Sequence, residues 1–257
     1  MCTLVLYFRV FPQYPLVIAA NRDESLTRPS APPTVLSPTP WIYGGQDLLA
    51  GGTWLGINQH GLVAAVLNRR GPDPADPRRR SRGLLCLDAL QHPSTRAAQQ
   101  CVATQPATRY NPFSLVIADP FAAALVYPEE HTLTVRQLSP GMYMLTNLNL
   151  NDPECPRISH FSQRFLQVSK NSVSARLPDV FAQLQALLAD HTATQDPRLS
   201  LCLHLDGYGT CSSTLLAYSG PEHRYIYLHA PGPPCQHPYA EMPVPSGSLT
   251  SHPPSTT

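Results

Sequence analysis

Cys2-Thr3-Leu4-Val5-Leu6-Tyr7-Phe8-Arg9-Val10, followed by Leu16-Val17-Ile18-Ala19-Ala20 running into Asn21-Arg22-Asp23-Glu24, is the stretch on which the reading of this chain turns. The first run is largely apolar on both alternating faces, the pattern of a strand buried on both sides. Pro12 and Pro15 mark a turn, and Leu16 to Ala20 reads as a second, short strand. Antiparallel neighbours joined by a short turn set the start of one strand beside the end of the other. Cys2 and the polar group 21–24 are therefore expected at the same end of the pair. Beyond it, residues 25–40 carry Pro29, Pro32, Pro33, Pro38 and Pro40 and read as an irregular, polyproline-prone loop.

Further out, Gly51-Gly52-Thr53 leads into a strand over 54–58, Gln59-His60-Gly61 is a hairpin turn and 62–68 the return strand. A polar loop over 69–82 carries Arg78-Arg79-Arg80 and is expected to be exposed and mobile, able to meet phosphates such as those of a CoA moiety. Helices are expected over 83–91 and 94–104, then strands over 113–119, 122–127, 133–138 and 141–146. Amphipathic helices over 157–168 and 178–190 precede closing strands at 213–218 and 224–229. Antiparallel strands in blocks, alternating with helices in blocks, predict an α+β fold with helices layered on packed antiparallel sheets. One domain is expected over 1–230. Residues 231–257, rich in Pro, Ser and Thr, read as a disordered tail outside it.

Composition narrows the function. Only 14% of the 257 residues are charged, well under the usual ~25%, which excludes a highly charged disordered chain. With 18 basic and 17 acidic residues there is no basic excess, so nucleic acid is not an expected partner. Lys170 is the only lysine and a poor Schiff-base candidate. Seven cysteines without a CxxC pair suit reduced thiols in a cytoplasm-like compartment. The apolar N-terminus lacks a basic leader and is broken by Arg9, Pro12 and Pro15, so it reads as strand, not signal sequence. No apolar run reaches the ~18 residues of a membrane span.

Chemistry concentrates at three places. Removal of Met1 would leave Cys2 as a free N-terminus, whose amine, with an ordinary pKa of about 7.7–8, can take the proton of its own thiol. Cys2 fits equally well as a small apolar residue on a buried strand. Asp23 falls within reach of that amine, and Arg22 can favour a thiolate or a substrate carbonyl; the same residues suit a capped turn with ion pairs. The thiol beside its amine and Arg22 is expected to have a lowered pKa. Asn58, at a strand end, can aim its amide at a developing oxyanion, and Asn147 repeats the arrangement, although Asn is also an ordinary turn former. Cys202-x-His204 and Cys235-x-His237 resemble metal half-sites, but they are far apart in the chain and no metal is expected. Cys155-Pro156, a dipeptide of the kind that can bind haem through thiolate, reads as a chance pair.

Met1-Cys2-Thr3, Ala19-Ala20-Asn21-Arg22-Asp23-Glu24, Gly51-Gly52-Thr53-Trp54-Leu55-Gly56-Ile57-Asn58, Ser81-Arg82-Gly83, Thr146-Asn147 and Tyr208-Gly209-Thr210 occur in this order. Together they resemble the NRDE family, also called the transport and Golgi organisation protein 2 family. That family is similar to N-terminal-nucleophile hydrolases, in the branch with penicillin V acylase and bile-salt hydrolase. The resemblance implies a four-layer αββα sandwich of two antiparallel sheets. It implies Cys2 as nucleophile, Asp23 as partner of its amine, and Asn58 and Asn147 as oxyanion or amine ligands, with no cofactor. The implied activity is hydrolysis of an amide or acyl-thioester bond; the alternative is a non-catalytic carrier of haem or an acyl lipid, since the family is linked to lipid and acyl-CoA metabolism and haem trafficking. The expected partner is thus a small molecule: an acyl amide, an acyl-CoA or haem. Two departures stand out. The acylases' catalytic Arg, three residues before the Asp, corresponds to Ala20, and the Arg that usually follows Tyr-Gly-Thr in the family is Cys211.

Overall fold

The computed structural model describes residues 2–170, 176–191 and 196–245. Among the described residues are two antiparallel sheets and four α-helices, and the chain divides into two compact units. The first unit comprises Met1–Pro29, Pro140–Ala217 and Ile226–Pro243; the second comprises Ser30–Ser139, Tyr218–Tyr225 and Val244–Thr257.

The first unit is built on β1 (Thr3–Phe11), β2 (Tyr14–Ser25), β10 (Gly141–Leu145), β11 (His204–Leu205), β12 (Tyr208–Ser219), β13 (Arg224–Ala230) and β14 (Ala240–Glu241). Their order is β10-β1-β2-β12-β13-β14, with β11 on β12. Val5 lies opposite Ala19 on β2 and Met144 on β10. These residues share a face with Tyr7 and Val17, and that face packs on Phe161 and Phe165 of α3 (Pro156–Lys170) and Val180 and Leu184 of α4 (Leu177–Leu188). Alternation turns Leu4, Leu6, Leu16 and Ile18 to the other face, where they too are buried. Burying each such aromatic or aliphatic side chain contributes about 1.5–3 kcal/mol, which is why the apolar runs become the sheet's centre. Tyr7 keeps its buried hydroxyl satisfied by donating to the Phe165 carbonyl at 2.8 Å.

The second unit is a seven-stranded sheet in chain order: β3 (Ser30–Pro38), β4 (Trp41–Asp47), β5 (Leu55–Asn58), β6 (Val63–Asn68), β7 (Phe113–Ala118), β8 (Ala123–Glu129) and β9 (Thr132–Gln137). One face carries α1 (Arg82–Leu90) and α2 (Thr95–Ala103), with Leu85, Leu90 and Val102 packed among Ala64, Leu115, Ile117 and Val126. Ser81 and Ser94 cap the two helices by accepting hydrogen bonds from Gly83 N–H and Ala97 N–H. Gly61 holds the 59–61 turn at φ +81°, a conformation that favours glycine.

Three expectations are corrected. Residues 30–38 form a strand, not an irregular loop. β3 is the edge of its sheet, where a missing proline N–H costs no ladder bond, and its pairing slips at Ala31/Thr34, around Pro32-Pro33. β2 continues to Ser25, so Asn21 to Glu24 lie inside a strand. Residues 231–245 belong to the folded chain: β14 pairs with β13, and the Met242 N–H donates to the Tyr227 carbonyl at 2.8 Å. The prolines here fall in the turn and in the segments flanking β14, outside the paired residues, where no ladder N–H is lost. The rest of the expected tail, 246–257, lies outside the described residues. Among the described residues no helix is long and apolar enough to cross a membrane.

Candidate active site

Asp23 organises the C-terminal end of β2. Its side chain is fully buried, with Oδ2 3.3 Å from the equally buried Arg157 guanidinium. Oδ1 accepts a 2.7 Å hydrogen bond from the Thr210 hydroxyl. The same guanidinium donates to the Thr3 hydroxyl at 3.0 Å and to the Arg198 carbonyl at 2.8 Å. Burial pushes the Asp23 carboxyl up from its ordinary value, opposed by Arg157 and the Thr210 hydrogen bond. Both direct contacts favour the charged form, but they compete with complete removal from water.

The Cys2 thiol reaches the backbone of the same residue, donating to the Asp23 carbonyl at 3.5 Å. Tyr208 donates to that carbonyl as well, at 2.9 Å. The β1–β2 register pairs Thr3 with Asn21, so one further step sets Cys2 across from Arg22. On the other side Leu4 pairs with Leu145, the last residue of β10, and Asn147 follows in the bend beyond that pairing. The start of the chain and β12 thus meet at the Asp23 carbonyl of β2. The lowered thiol pKa expected from sequence is not found. Burial raises it and Asp23 adds to the rise, while Arg22 opposes with a smaller effect. A neighbouring cation favours thiolate only to the extent that the thiol is not also desolvated.

The motif residues around this centre have separable tasks. Asn21 donates at 2.9 Å to the carbonyls of Leu188 and Leu201, pinning the end of α4. In Tyr208-Gly209-Thr210 the outer residues hold the Asp23 backbone and side chain. At Gly209 a Cβ would come within 2.7 Å of the Leu203 carbonyl, so the close approach requires glycine. Cys211, where the family usually has Arg, faces the carbonyls of Glu24 and Gly209 at 3.6 and 3.5 Å, and burial raises its pKa.

Asn58 lies in the second unit, and its amide is already used. Its nitrogen donates to the Leu90 and His92 carbonyls at 2.7 and 2.8 Å. Its oxygen accepts from the N–H groups of His60 and Leu62 at 2.9 and 3.1 Å. No N–H remains for an oxyanion, so the expected oxyanion role is corrected to a structural one: Asn58 closes its own turn and caps the end of α1. Cys155 is likewise enclosed, its sulfur 3.2 Å from the Thr146 hydroxyl. The arginine run is less free than expected. Arg80 pairs with Asp88 at 2.6 Å and Arg79 donates to the Tyr110 carbonyl at 2.8 Å, whereas Arg78 pairs with Asp76 in the open. Arg78, Arg79 and Arg80 line, with Asp76, Thr108 and Arg109, an open surface depression of about 770 Å³.

Sequence reasoning missed Arg157. The signal was present: Arg157, Phe161, Phe165 and Val168 share helical spacing, so a cation occupies the apolar stripe of α3.

The two antiparallel sheets with their helices, and a cysteine leading into the first strand, define an N-terminal-nucleophile-hydrolase-like fold. The chain is similar in structure to an N-acylethanolamine-hydrolyzing acid amidase ortholog from Caenorhabditis elegans, with a TM-score of 0.55 at 13% identity, covering 86% of this chain and 95% of that one. It is also similar to penicillin V acylase from Agrobacterium tumefaciens (TM-score 0.53, 12% identity, 90% and 83% covered). A third likeness is to the C2A mutant of conjugated bile acid hydrolase from Clostridium perfringens (TM-score 0.50, 11% identity, 94% and 92% covered). At these identities the likeness is one of fold. The chain belongs to the Transport and Golgi organisation 2 family, whose model matches residues 1–227. It is 30% identical over 254 residues to the Transport and Golgi organization protein 2 homolog of Homo sapiens, covering 87% of this chain and 90% of that protein. The Mus musculus homolog is 27% identical over the same shares.

Proposed function

We propose that the chain is a cysteine N-terminal-nucleophile hydrolase acting on an amide or acyl-thioester bond of a small molecule. The observation that carries this is the position of Cys2, with its thiol on the Asp23 carbonyl and the Arg22 charge close enough to act on it. The fold neighbours, named as amidase, acylase and bile acid hydrolase, support the reaction class. Because burial keeps the thiol protonated, attack needs a base in place. The α-amine exposed by loss of Met1 supplies one. The amine takes the thiol proton as sulfur attacks the carbonyl carbon, and Asn147 donates to the oxyanion. The ammonium returns the proton to the departing amine or thiolate, leaving an acyl-Cys2 thioester. Water, deprotonated by the same amine, then releases the acid and the free thiol. Asp23 orients the amine, and Arg157 and Thr210 hold Asp23. The free thiols suit work in a reducing, cytoplasm-like compartment.

The test is intact mass together with turnover on a panel of N-acyl amides and acyl-CoAs. The expected result is a chain lacking Met1, an acyl adduct on Cys2, and a fall in kcat of roughly 10³-fold or more in Cys2→Ser. A chain that keeps Met1, forms no adduct, and binds haem or an acyl lipid equally well with Cys2→Ser is a carrier and not a hydrolase.

A further inference from the structure

The first unit also holds a group of side chains that this chemistry does not use. Cys202, at the entry to β11, has its sulfur 3.6 Å from His204 Nε2 and 3.6 Å from the Cys235 sulfur. His204 Nε2 and Cys235 Sγ are 3.1 Å apart. His191 adjoins them from the other side: one ligating atom each from His191, His204 and Cys235 lies within 4.8 Å of the others, so His204 and Cys235 are shared between Cys202 and His191. Three separate segments supply these residues, and backbone bonds hold each. The Asp190 carbonyl accepts the N–H groups of Leu201 and Cys202 at 3.1 and 2.9 Å, tying the His191 segment to Cys202. His204 pairs with Gly209 of β12. The Pro233 carbonyl accepts from the N–H groups of Gln236 and His237, closing a turn around Cys235.

We propose that Cys202, His204, Cys235 and His191 bind one Zn²⁺ in a tetrahedral, structural site. With Zn–S of ~2.3 Å and Zn–N of ~2.0–2.1 Å, the edges of such a tetrahedron are about 3.8 Å between sulfurs and about 3.5 Å between sulfur and nitrogen. The three measured edges are within about half an ångström of those values. A disulfide needs sulfurs at ~2.05 Å, and at 3.6 Å the two thiols are free. His191 Nδ1 faces the Ala189 carbonyl at 3.0 Å; donating there fixes the tautomer that offers Nε2 to a metal, the usual outer partner of a metal-bound imidazole. Two thiolates with two imidazoles select zinc over the hard cations Mg²⁺ and Ca²⁺, and four protein ligands close the site to substrate. His191 and His204 are exposed, which gives the ion an entry path.

The sequence pairing Cys235-x-His237 does not form. His237 turns onto Gly232 and the Pro233 carbonyl instead, and His191 takes its place. Loaded, the site clamps three segments: the end of α4, the 202–204 segment and the turn after β13. The 202–204 segment also touches the Asp23 centre, since the Leu203 N–H donates at 2.9 Å to the Thr210 hydroxyl that holds Asp23.

The full chain, purified under reducing conditions and stripped with a chelator, is titrated with Zn²⁺ alone and, separately, with Co²⁺ or Cu⁺. The expected results are one Zn²⁺ per chain, proton release on binding, the d–d absorption of tetrahedral thiolate-bound Co²⁺, and a rise in Tm. Cys235→Ser and His204→Ala should lower affinity by more than ~100-fold, with His191→Ala weakened less and His237→Ala and Cys101→Ser unchanged. Circular dichroism of Cys235→Ser, whose residue sits in a turn, separates loss of metal from loss of fold. Equal zinc binding by wild type and Cys235→Ser, tighter binding of Cu⁺ than of Zn²⁺ with His191 and His204 dispensable, or isolation of a Cys202–Cys235 disulfide without metal would each overturn the proposal. Zinc stoichiometry and affinity are read directly, without an assay of Cys2 turnover, so failure here and failure of the hydrolase reading are separate results.

Discussion

In the first unit Asn21 and Gly209 hold main chain, but the centre of the motif is bound through a buried charge: Asp23 to Arg157 and Thr210, and Arg157 to Thr3. In the second the motif residues hold backbone against backbone. A Cβ on Gly52 would come within 2.3 Å of the Gly83 backbone, and Asn58 exchanges four hydrogen bonds with main-chain groups. Motifs that read alike in the sequence, a polar residue or a glycine at a strand end, therefore do different physical work. One set fixes an electrostatic environment whose strength depends on protonation. The other closes loops through neutral contacts.

That contrast makes Arg157→Met the most damaging substitution. Breaking a buried pair from one side costs ~3–5 kcal/mol, measured by urea denaturation. Loss of the cation removes a factor that lowers the Asp23 pKa, so the carboxyl, already raised by burial, rises further. Protonated, it needs no cation. The penalty should therefore be largest at neutral pH and shrink as pH falls toward the ordinary carboxylate value of 3.8. A penalty that does not change with pH would erase the distinction between the units.

His229, buried on β13 beside Thr214, sharpens the same point. Burial lowers its imidazole from 6.5 to about 4. A histidine depressed in the folded state stabilises above its unfolded pKa, and that stability is lost as pH falls through the folded value. Between pH 6.5 and about 4 the chain should lose roughly 3 kcal/mol through this group. His229→Gln should flatten that part of the stability–pH curve.

Asn58→Ala should cost about 2 kcal/mol, because truncation strands buried main-chain groups that had been paired. This loss should be the same at pH 5 and pH 8, since no group in the contact titrates there. A pH-dependent loss would show that Asn58 belongs with the charged set. Smallest is Arg78→Ala. Its pair with Asp76 is solvent-exposed, and exposed pairs contribute little, so Tm should not change measurably. If the depression beside it receives CoA phosphates, replacing Arg78, Arg79 and Arg80 together should weaken CoA-ester binding, more at low salt than at high.

Much of the architecture was legible because its signals are local. Two-sided apolar runs gave away β1 and β2, 3.6-residue spacing gave α3 and α4, and Gly61 marked its turn. Proline content misled at 30–38, because the cost of a proline depends on whether its missing N–H faces a neighbouring strand, which sheet order decides, and at 231–245, because the prolines flank a two-residue strand whose partner, β13, lies outside that segment. At the candidate site the sequence brought Cys2 to the polar end of β2 through nothing more than a hairpin. It could not determine that Arg157, 134 residues away, pairs with Asp23, nor that the Asn58 amide is spent on carbonyls at the end of a helix.

By itself the sequence determined the α+β class, the strand and helix periodicities, and which end of the first hairpin carries polar chemistry. These follow from side-chain alternation and turn geometry within a few residues. The tertiary structure alone decided the direction of the Cys2 pKa, the ion pair beneath Asp23, and the meeting of Cys202, His204 and Cys235 with His191. Desolvation is set by everything packed around a group, and contacts between distant segments are set by strand order and register, neither of which is written in any local stretch of chain.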